Sequence, residues 1–206
     1  MMTLTPEELL DRLKYDITTD QYGTITYQFN GERHRDDDLP AVINADGTKW
    51  WYQNGNLHRD NDLPTIEYTG GSKFWHQNGL QHRDNDQPAL INADGSKYWC
   101  QHGKLHRDND QPAVIGALGT KEWYKDGRQH RDNDQPAIIR ANGAKEWWVN
   151  GKKHRDNDLP AVINADGTKW WYKHGEIHRD NDLPVVIGAD GSKCGVNGKF
   201  IKSKQS

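Results

Sequence analysis

This 206-residue chain is poor in several residue types that most folded domains use. Only 33% of the residues are hydrophobic, and no apolar run approaches the length of a membrane span. The two cysteines form no disulfide framework, which favours a reduced, cytoplasmic compartment. A formal net charge of −3 supplies no strong field for nucleic acid or for an anionic membrane. We therefore expect neither as a partner.

One unit returns every 24 residues along almost the whole chain. Each copy reads His-Arg-Asp-Asn-Asp-x-Pro, with Asp for Asn in the first copy, and seven histidines open the copies: His34, His58, His82, His106, His130, His154 and His178. A fixed period of this length indicates a repeat architecture, in which each unit buries a thin layer against its neighbours. Nine tryptophans supply that layer and argue against disorder.

The period divides the chain into four segments. Residues 1–13 are predicted to form a capping helix, with Thr5 as N-cap, Glu8 completing a capping box, and Leu9, Leu10 and Leu13 lying over the first strand. The remaining segments are a degenerate first repeat at 14–33, six full repeats at 34–177, and a degenerate capping repeat with a tail at 178–206.

Each repeat contains two hairpin signals. Between two β-branched or aromatic runs lies Asp46-Gly47, and eight residues later lies Asn54-Gly55; both dipeptides are typical of two-residue type I′ turns. Counting back from these turns predicts the following cross-strand pairs: Ile43 with Trp50, Val42 with Trp51, Tyr52 with Leu57, and Trp51 with His58. One face would then carry Val42, Trp51 and His58, and the other Ala41, Ile43, Ala45, Trp50, Tyr52 and Leu57.

Comparison of the repeats separates core from surface. The tryptophan represented by Trp51 is the same in six repeats, whereas the preceding position varies from Trp50 to Glu122. We therefore expect the Trp51 position in the core and the Trp50 position partly exposed. The predicted fold is all-β: an array of 24-residue antiparallel β-hairpin repeats forming one elongated twisted sheet, with a closed ring of repeats as the alternative. Stacked hairpins are favoured over single-strand coils because coils would place Asp60 about 4.8 Å from Asp84.

The segment Trp147-Trp148-Val149-Asn150-Gly151-Lys152-Lys153-His154 resembles MORN repeats (membrane occupation and recognition nexus), as does Asp166-Gly167-Thr168-Lys169-Trp170. The resemblance covers roughly residues 20–200. Where the family has His-Gly-x-Gly, this chain has His-Arg-Asp-Asn-Asp-x-Pro, which is closer to the MORN-like variants of bacteria, phages and large viruses. The resemblance implies consecutive antiparallel hairpins and a scaffold or protein-binding role.

The leading hypothesis for function is a non-enzymatic scaffold that binds a protein partner across its sheet and uses no cofactor. In a phage or virus, that partner would be a host enzyme that the chain inhibits. The predicted binding residues are the aromatic side chains, with one histidine, that follow or precede the core tryptophans: Trp50, Tyr52, Phe74, His76, Tyr98, Tyr124, Trp148, Trp170 and Tyr172.

The alternative hypothesis is a Ca²⁺- or carbohydrate-binding module. Sugars would stack on the aromatic rows, and Ca²⁺ would bind the carboxylates of the repeated loops: Asp60, Asp62, Asp84, Asp86, Asp108 and Asp110. The competing interpretation is that Asp and Asn close these loops through bonds to the backbone, since each loop lacks glycine and has an adjacent arginine. We also expect His58 to be a structural residue beside Trp51. The positive charges of the repeated lysines are expected to be cancelled by the negative charges of the Asp pairs.

Overall fold

The computed structural model describes residues 5–195. Within it the chain forms two compact units, Met1–Gly103 (unit 1) and Lys104–Ser206 (unit 2). Both are built from antiparallel β-hairpins that recur every 24 residues, and a single short helix stands at the N-terminal end of the described part. The predicted all-β hairpin-repeat fold is therefore confirmed, and single-strand coils are excluded.

The predicted N-terminal helix is present as α1, Pro6–Lys14. Leu10 and Leu13 are 65% and 86% exposed, so the prediction that they lie over the first strand is wrong. Charge holds the helix instead, since the Nη2 of Arg35 donates to Asp11 over 2.5 Å. The side chains at 6–9, which include the predicted Glu8 and Leu9 contacts, lie outside the described residues.

Unit 1 has one main sheet, with a short two-stranded hairpin after each main hairpin. In the main sheet, β2 pairs with β1, β3 and β4, and pairing then continues through β5, β8, β9, β12 and β13. The strands are β1 Asp16–Thr19, β2 Ile25–Phe29, β3 Glu32–Arg33, β4 Val42–Ile43, β5 Lys49–Trp50, β6 Tyr52–Gln53, β7 Asn56–Leu57, β8 Ile66–Glu67, β9 Lys73–Phe74, β10 His76–Gln77, β11 Leu80–Gln81, β12 Leu90–Ile91, β13 Lys97–Tyr98 and β14 Cys100–Gln101.

Unit 2 repeats the same arrangement. Its main sheet pairs β16, β17, β20, β21, β24, β25, β28 and β29 in that order. The strands are β15 Lys104–Leu105, β16 Val114–Ile115, β17 Lys121–Glu122, β18 Tyr124–Lys125, β19 Arg128–Gln129, β20 Ile138–Ile139, β21 Lys145–Glu146, β22 Trp148–Val149, β23 Lys152–Lys153, β24 Val162–Ile163, β25 Lys169–Trp170, β26 Tyr172–Lys173, β27 Glu176–Ile177, β28 Val186–Ile187 and β29 Lys193–Cys194.

Neither unit closes into a ring. Among the described strands of each unit, the first and last in the pairing order do not pair with each other. In residues 5–195 no helix has the length and apolar character needed to cross a membrane. The predicted segment 178–206 is described only as far as residue 195, so its tail lies outside the described residues.

The turn at Asp46-Gly47 differs from the prediction. Only Gly47 has a left-handed φ, of 88°, and Asn44 pairs with Thr48 because its N–H donates to the Thr48 carbonyl over 2.9 Å. The loop therefore has three residues, a type I turn followed by a glycine bulge, rather than a two-residue type I′ turn. The Asp46 carboxylate stabilises this loop by accepting the N–H of Thr48 over 2.8 Å.

The extra loop residue shifts the register by one. Val42 faces Trp50 and Ile43 faces Lys49, so the predicted pairs of Ile43 with Trp50 and Val42 with Trp51 are wrong. Because directly opposed residues share a face, Val42 and Trp50 lie on one face and Lys49 on the other. The second turn is as predicted: Asn54 and Gly55 have φ of 46° and 76°, and Tyr52 faces Leu57.

The core of each unit is built from tryptophans and small residues. The six tryptophans of the Trp51 position are at most 7% exposed, as predicted: Trp51, Trp75, Trp99, Trp123, Trp147 and Trp171. In five of the hairpins, a fully buried alanine directly precedes the first strand, as Ala41 precedes β4. Residues at the Trp50 position are partly exposed, except for Glu146, which is buried.

Candidate functional site

From Arg59 onward, the repeated loops whose bonds are described share one bonding pattern, whereas Arg35 of the first loop binds Asp11 of the helix and lies over Tyr27. The guanidinium of Arg59 lies 3.8 Å from the Trp51 ring centroid and donates to both carboxylate oxygens of Asp38 over 2.6 and 2.8 Å. Its remaining nitrogen donates to the Pro64 carbonyl over 3.1 Å. The same bidentate pair recurs in four further copies: Arg83 with Asp62, Arg131 with Asp110, Arg155 with Asp134, and Arg179 with Asp158.

The same aspartate also accepts a hydrogen bond from the core tryptophan. The Nε1 of Trp51 donates to the backbone carbonyl of Asp38 over 2.9 Å. This carbonyl is oriented by a left-handed turn, since Asp37 and Asp38 have φ of 57° and 55°. Asp and Asn tolerate this conformation better than most residues do. The structure thus shows the Asp pairs closing the loop and joining each repeat to the preceding one.

The arginine also sets the charge state of its aspartate. Hydrogen bonds from Arg59 hold the pKa of Asp38 below its usual value, despite the opposing effect of burial. The arginines of the following repeats lower the pKa of their partners in the same way, as at Asp110, Asp134 and Asp158. These carboxylates therefore remain charged well into the acid range, and their oxygens are occupied by arginine.

The loop histidines from His34 to His154 are each held through both ring nitrogens, and His178 is held through Nε2 by Asp180. The backbone N–H of Asn150 donates to the Nδ1 of His130 over 3.1 Å, and the Nε2 of His130 lies 2.9 Å from Asp132. A backbone amide only donates, so Nδ1 is the acceptor and the Nε2–H donates to the carboxylate. The predicted pairing of Trp51 with His58 is confirmed, since the N–H of His58 donates to the Trp51 carbonyl over 3.2 Å. The bonds of the histidine ring tie the loop to the next turn.

The predicted Ca²⁺ ligands are already engaged by the protein. Three of them face histidine Nε2 atoms at 3.0–3.2 Å, namely Asp60, Asp84 and Asp108. Arginines bind Asp62 and Asp110, and Asp86 also has an interaction partner. Between residues 5 and 195, no group of three or more His, Cys, Asp or Glu side chains is arranged to hold a metal ion.

Three of the predicted binding residues come together in unit 1, around a tyrosine that the sequence reasoning missed. Tyr68 packs against Trp50 and Phe74, with ring centroids at 6.1 and 5.6 Å, and Phe74 stacks on His76 at 6.4 Å. All four rings keep part of their surface exposed. Tyr98 continues the row, because Leu90 faces both Phe74 and Tyr98. We call these five residues the aromatic face.

His76 has a partner that the other repeats lack. The Thr65 hydroxyl donates to the Phe74 carbonyl over 3.0 Å, so the Nδ1–H of His76 donates to the Thr65 oxygen over 2.7 Å. Burial lowers the pKa of His76. The ring is therefore neutral and fixed in orientation at neutral pH.

The predicted residues of unit 2 do not form a comparable aromatic surface. Trp148 donates through Nε1 to Glu146 over 3.2 Å, and Lys153 binds the same carboxylate over 3.2 Å while lying 5.3 Å from the Tyr172 ring centroid. Burial alone would raise the pKa of Glu146, but the bonds from Arg140 and the charge of Lys153 outweigh it and lower that pKa. Charged side chains therefore occupy this part of unit 2.

The other predicted residues are partly exposed and lie beside local polar groups. Tyr124 donates to Glu122 over 3.0 Å, and Tyr52 accepts a bond of 3.2 Å from Arg33. Trp170 faces Val162 and Val186. The unit 2 face around Glu122 and Glu146 thus differs in character from the aromatic face of unit 1.

Tyr68 had a signal in the sequence. At its position in the repeat, the other units have asparagine, glycine or arginine, so it is the single aromatic residue in its column: Asn44, Tyr68, Asn92, Gly116, Arg140, Asn164 and Gly188. An aromatic residue at a turn position that is otherwise polar or small indicates a local role in one repeat rather than in the array.

The chain was compared with protein-family models and with curated proteins. No family model matches it, and no curated protein is detectably similar to it. The candidate sites therefore rest on the residues and their geometry.

Proposed function

We propose that this chain is a non-enzymatic β-hairpin repeat protein that binds a protein partner through the aromatic face of unit 1. The observation that supports this proposal is the cluster of Trp50, Tyr68, Phe74 and His76, whose rings contact one another and remain partly exposed. Aromatic side chains are enriched at the centres of protein interfaces because they bury a large area at a small entropic cost.

The arrangement of the rings favours a protein over a sugar polymer. A sugar stacks on a ring whose flat face is open, whereas the ring planes of Trp50 and Tyr68 meet at 63°, so that each partly covers the other. A periodic polymer would also fit equivalent surfaces in every repeat. The aromatic residues at Phe74 and Tyr98 are replaced by Glu122 and Glu146 in unit 2, and such irregularity suits a folded protein surface.

The repeated polar groups support a role other than catalysis. Both ring nitrogens of His130 are engaged, as described above, which leaves neither free to act as a base. Burial raises the pKa of Cys100 to about 11, so that its thiol is neutral at physiological pH and a poor nucleophile.

The test is affinity capture from extracts of the source cells, with the full chain and a matched pair of variants. F74E/Y98E places on the aromatic face the residue that the same positions hold at Glu122 and Glu146. Q77E/A93E adds the same charge at exposed positions of unit 1 away from that face. We expect the wild type and Q77E/A93E to retain a protein that F74E/Y98E loses.

Circular dichroism confirms that each variant is folded before capture. If F74E/Y98E retains the same proteins in the same amounts as the wild type, the aromatic face is not the binding site. Binding of soluble polysaccharide by the wild type, lost in F74E/Y98E, would replace the protein partner with a sugar.

A further inference from the structure

On the face opposite Glu122, Glu146 and Trp170, unit 2 carries a row of side chains that the proposed function does not use. Isoleucines and lysines alternate along it, one from each strand of the main sheet: Ile115, Lys121, Ile139, Lys145, Ile163, Lys169, Ile187 and Lys193. Each is directly opposite the next in an antiparallel pair, so all eight share one face. We call this row the lysine ladder.

The lysines of the ladder are exposed, and within residues 5–195 none of the four forms an ion pair. The Asp pairs therefore form no direct ion pair with these lysines. Carboxylates such as Asp110 and Asp134 are bound by Arg131 and Arg155 in the loops. The ladder thus presents four exposed positive charges without a direct ion-pair partner among the described residues.

In unit 1, a carboxylate lies within the equivalent row of lysines. There Glu67 takes the place of an isoleucine, directly between Lys49 and Lys73, and Glu67 also binds Arg59 over 3.3 Å. The uninterrupted row occurs in unit 2, where the intervening residues are partly exposed isoleucines such as Ile139 and Ile163. A ligand that fits this row carries negative charge at a fixed spacing with apolar groups in between.

The spacing identifies the class of ligand. Successive lysines are two strands apart, or about 9.4–9.8 Å at the usual strand separation. A polyproline II helix repeats every three residues, which at its usual rise is about 9.3 Å. An acidic residue at every third position of such a peptide therefore meets one lysine after another, and the residues in between lie over the isoleucines.

We infer that the lysine ladder binds an acidic, proline-rich peptide segment in the polyproline II conformation, with Asp or Glu at every third position. A nucleic acid is the less suitable polyanion. It offers no apolar groups to the isoleucines between phosphates, and the ladder has neither arginine nor an exposed aromatic ring for base stacking. This inference concerns a different face and a different unit from the proposed protein-binding site.

The test is fluorescence anisotropy with labelled peptides and the full chain at low salt. The probe is a peptide of four Glu-Pro-Pro units. The matched peptides are one of the same composition with its four glutamates adjacent, and one of four Gln-Pro-Pro units. An oligothymidylate of the same charge is the nucleic-acid probe. We expect the evenly spaced acidic peptide to bind most tightly, with an affinity that falls as salt is added.

The variants locate the site. K145Q/K169Q removes two ladder charges, and K104Q/K152Q removes two exposed lysines of unit 2 outside the ladder. We expect K145Q/K169Q to weaken binding by about two- to five-fold for each lysine, the range of exposed ion pairs, and K104Q/K152Q to leave it nearly unchanged.

Four outcomes would overturn the inference: no binding of the evenly spaced peptide, equal binding of the peptide with adjacent glutamates, equal losses in the two variants, or tighter binding of the oligothymidylate. None of them bears on the aromatic face, whose test uses different variants.

Discussion

Arg59 and Asp38 lie 21 residues apart and belong to consecutive repeats, yet they form a bidentate ion pair with bonds of 2.6 and 2.8 Å. Arg59 also stacks on the Trp51 ring, and Trp51 donates to the backbone of the same aspartate. Asp38 thus binds the charged side chain of the next repeat and the core tryptophan of its own repeat. The motif that dominates the sequence is therefore an element of the fold, and function is left to the faces of the sheet.

The left-handed loop residues predict a backbone effect at Asn133, which is exposed and has a φ of 59°. Asn133→Ala should destabilise the chain by about 1–2 kcal/mol, because a Cβ without a polar group is disfavoured in this conformation. The melting temperature should then fall by several degrees, at about 2–4 °C per kcal/mol for a chain of this size.

Asn133→Gly is the control, because glycine adopts a left-handed conformation without strain. Its melting temperature should fall by much less, relative to the wild type, than the melting temperature of Asn133→Ala. Equal losses in the two variants would mean that the asparagine side chain, and not the backbone conformation, is what the loop requires.

The burial of His76 beside Thr65 predicts that the stability of the fold depends on pH below the ordinary histidine pKa of 6.5. The folded-state pKa of His76 is lowered by burial, so between that value and 6.5 the unfolded chain binds a proton that the folded chain does not. Stability is therefore fully present above this window and falls as the pH falls through it.

The variant T65A/H76Y restores the pair found elsewhere as Ala161 and Tyr172. Melting temperatures at about pH 7.5 and about pH 5.5 should differ less for this variant than for the wild type, since the remaining histidines contribute equally to both proteins. An identical difference in the two proteins would show that His76 does not contribute.

The loop carboxylates predict that divalent metal has no effect on stability. Arginine or histidine already occupies the described oxygens of Asp60, Asp62 and Asp110, and a Ca²⁺ ion would have to displace them. EGTA and millimolar-range Ca²⁺ should both leave the melting temperature unchanged. A loss of several degrees in EGTA that Ca²⁺ reverses would show that the loops bind the ion.

The period of the sequence was sufficient to predict the hairpin array, the buried tryptophans and the Asn-Gly turns. The register of the first hairpin was not predictable from Asp46-Gly47, because the same dipeptide suits a two-residue turn and a three-residue turn with a glycine bulge. The signal lay in another repeat: Leu118 takes the place of Asp46, and leucine strongly disfavours the left-handed φ that a type I′ turn requires. Only the bulged turn suits both repeats.

The partners of the loop side chains required the structure. An arginine beside two aspartates in every repeat indicates ion pairs, but sequence spacing alone does not show that Arg131 reaches back 21 residues to Asp110. Likewise, the aromatic residues of all repeats looked equivalent. Contacts showed that Tyr68 brings Trp50 and Phe74 together in unit 1, whereas Glu146 and Lys153 surround Trp148 in unit 2.

The structural role of the repeated loop is tested most directly by a double-mutant cycle on Arg131 and Asp110, with R131Q, D110N and the double variant measured by denaturant unfolding. Asparagine tolerates the left-handed φ of 53° at position 110, and loss of the Arg131 contact with Trp123 cancels in the cycle. Because Asp110 is 58% exposed, solvent screening limits the expected coupling to about 1 kcal/mol. A coupling of that size is the predicted result, and additive losses within about 0.3 kcal/mol would contradict a role for this pair in joining the repeats.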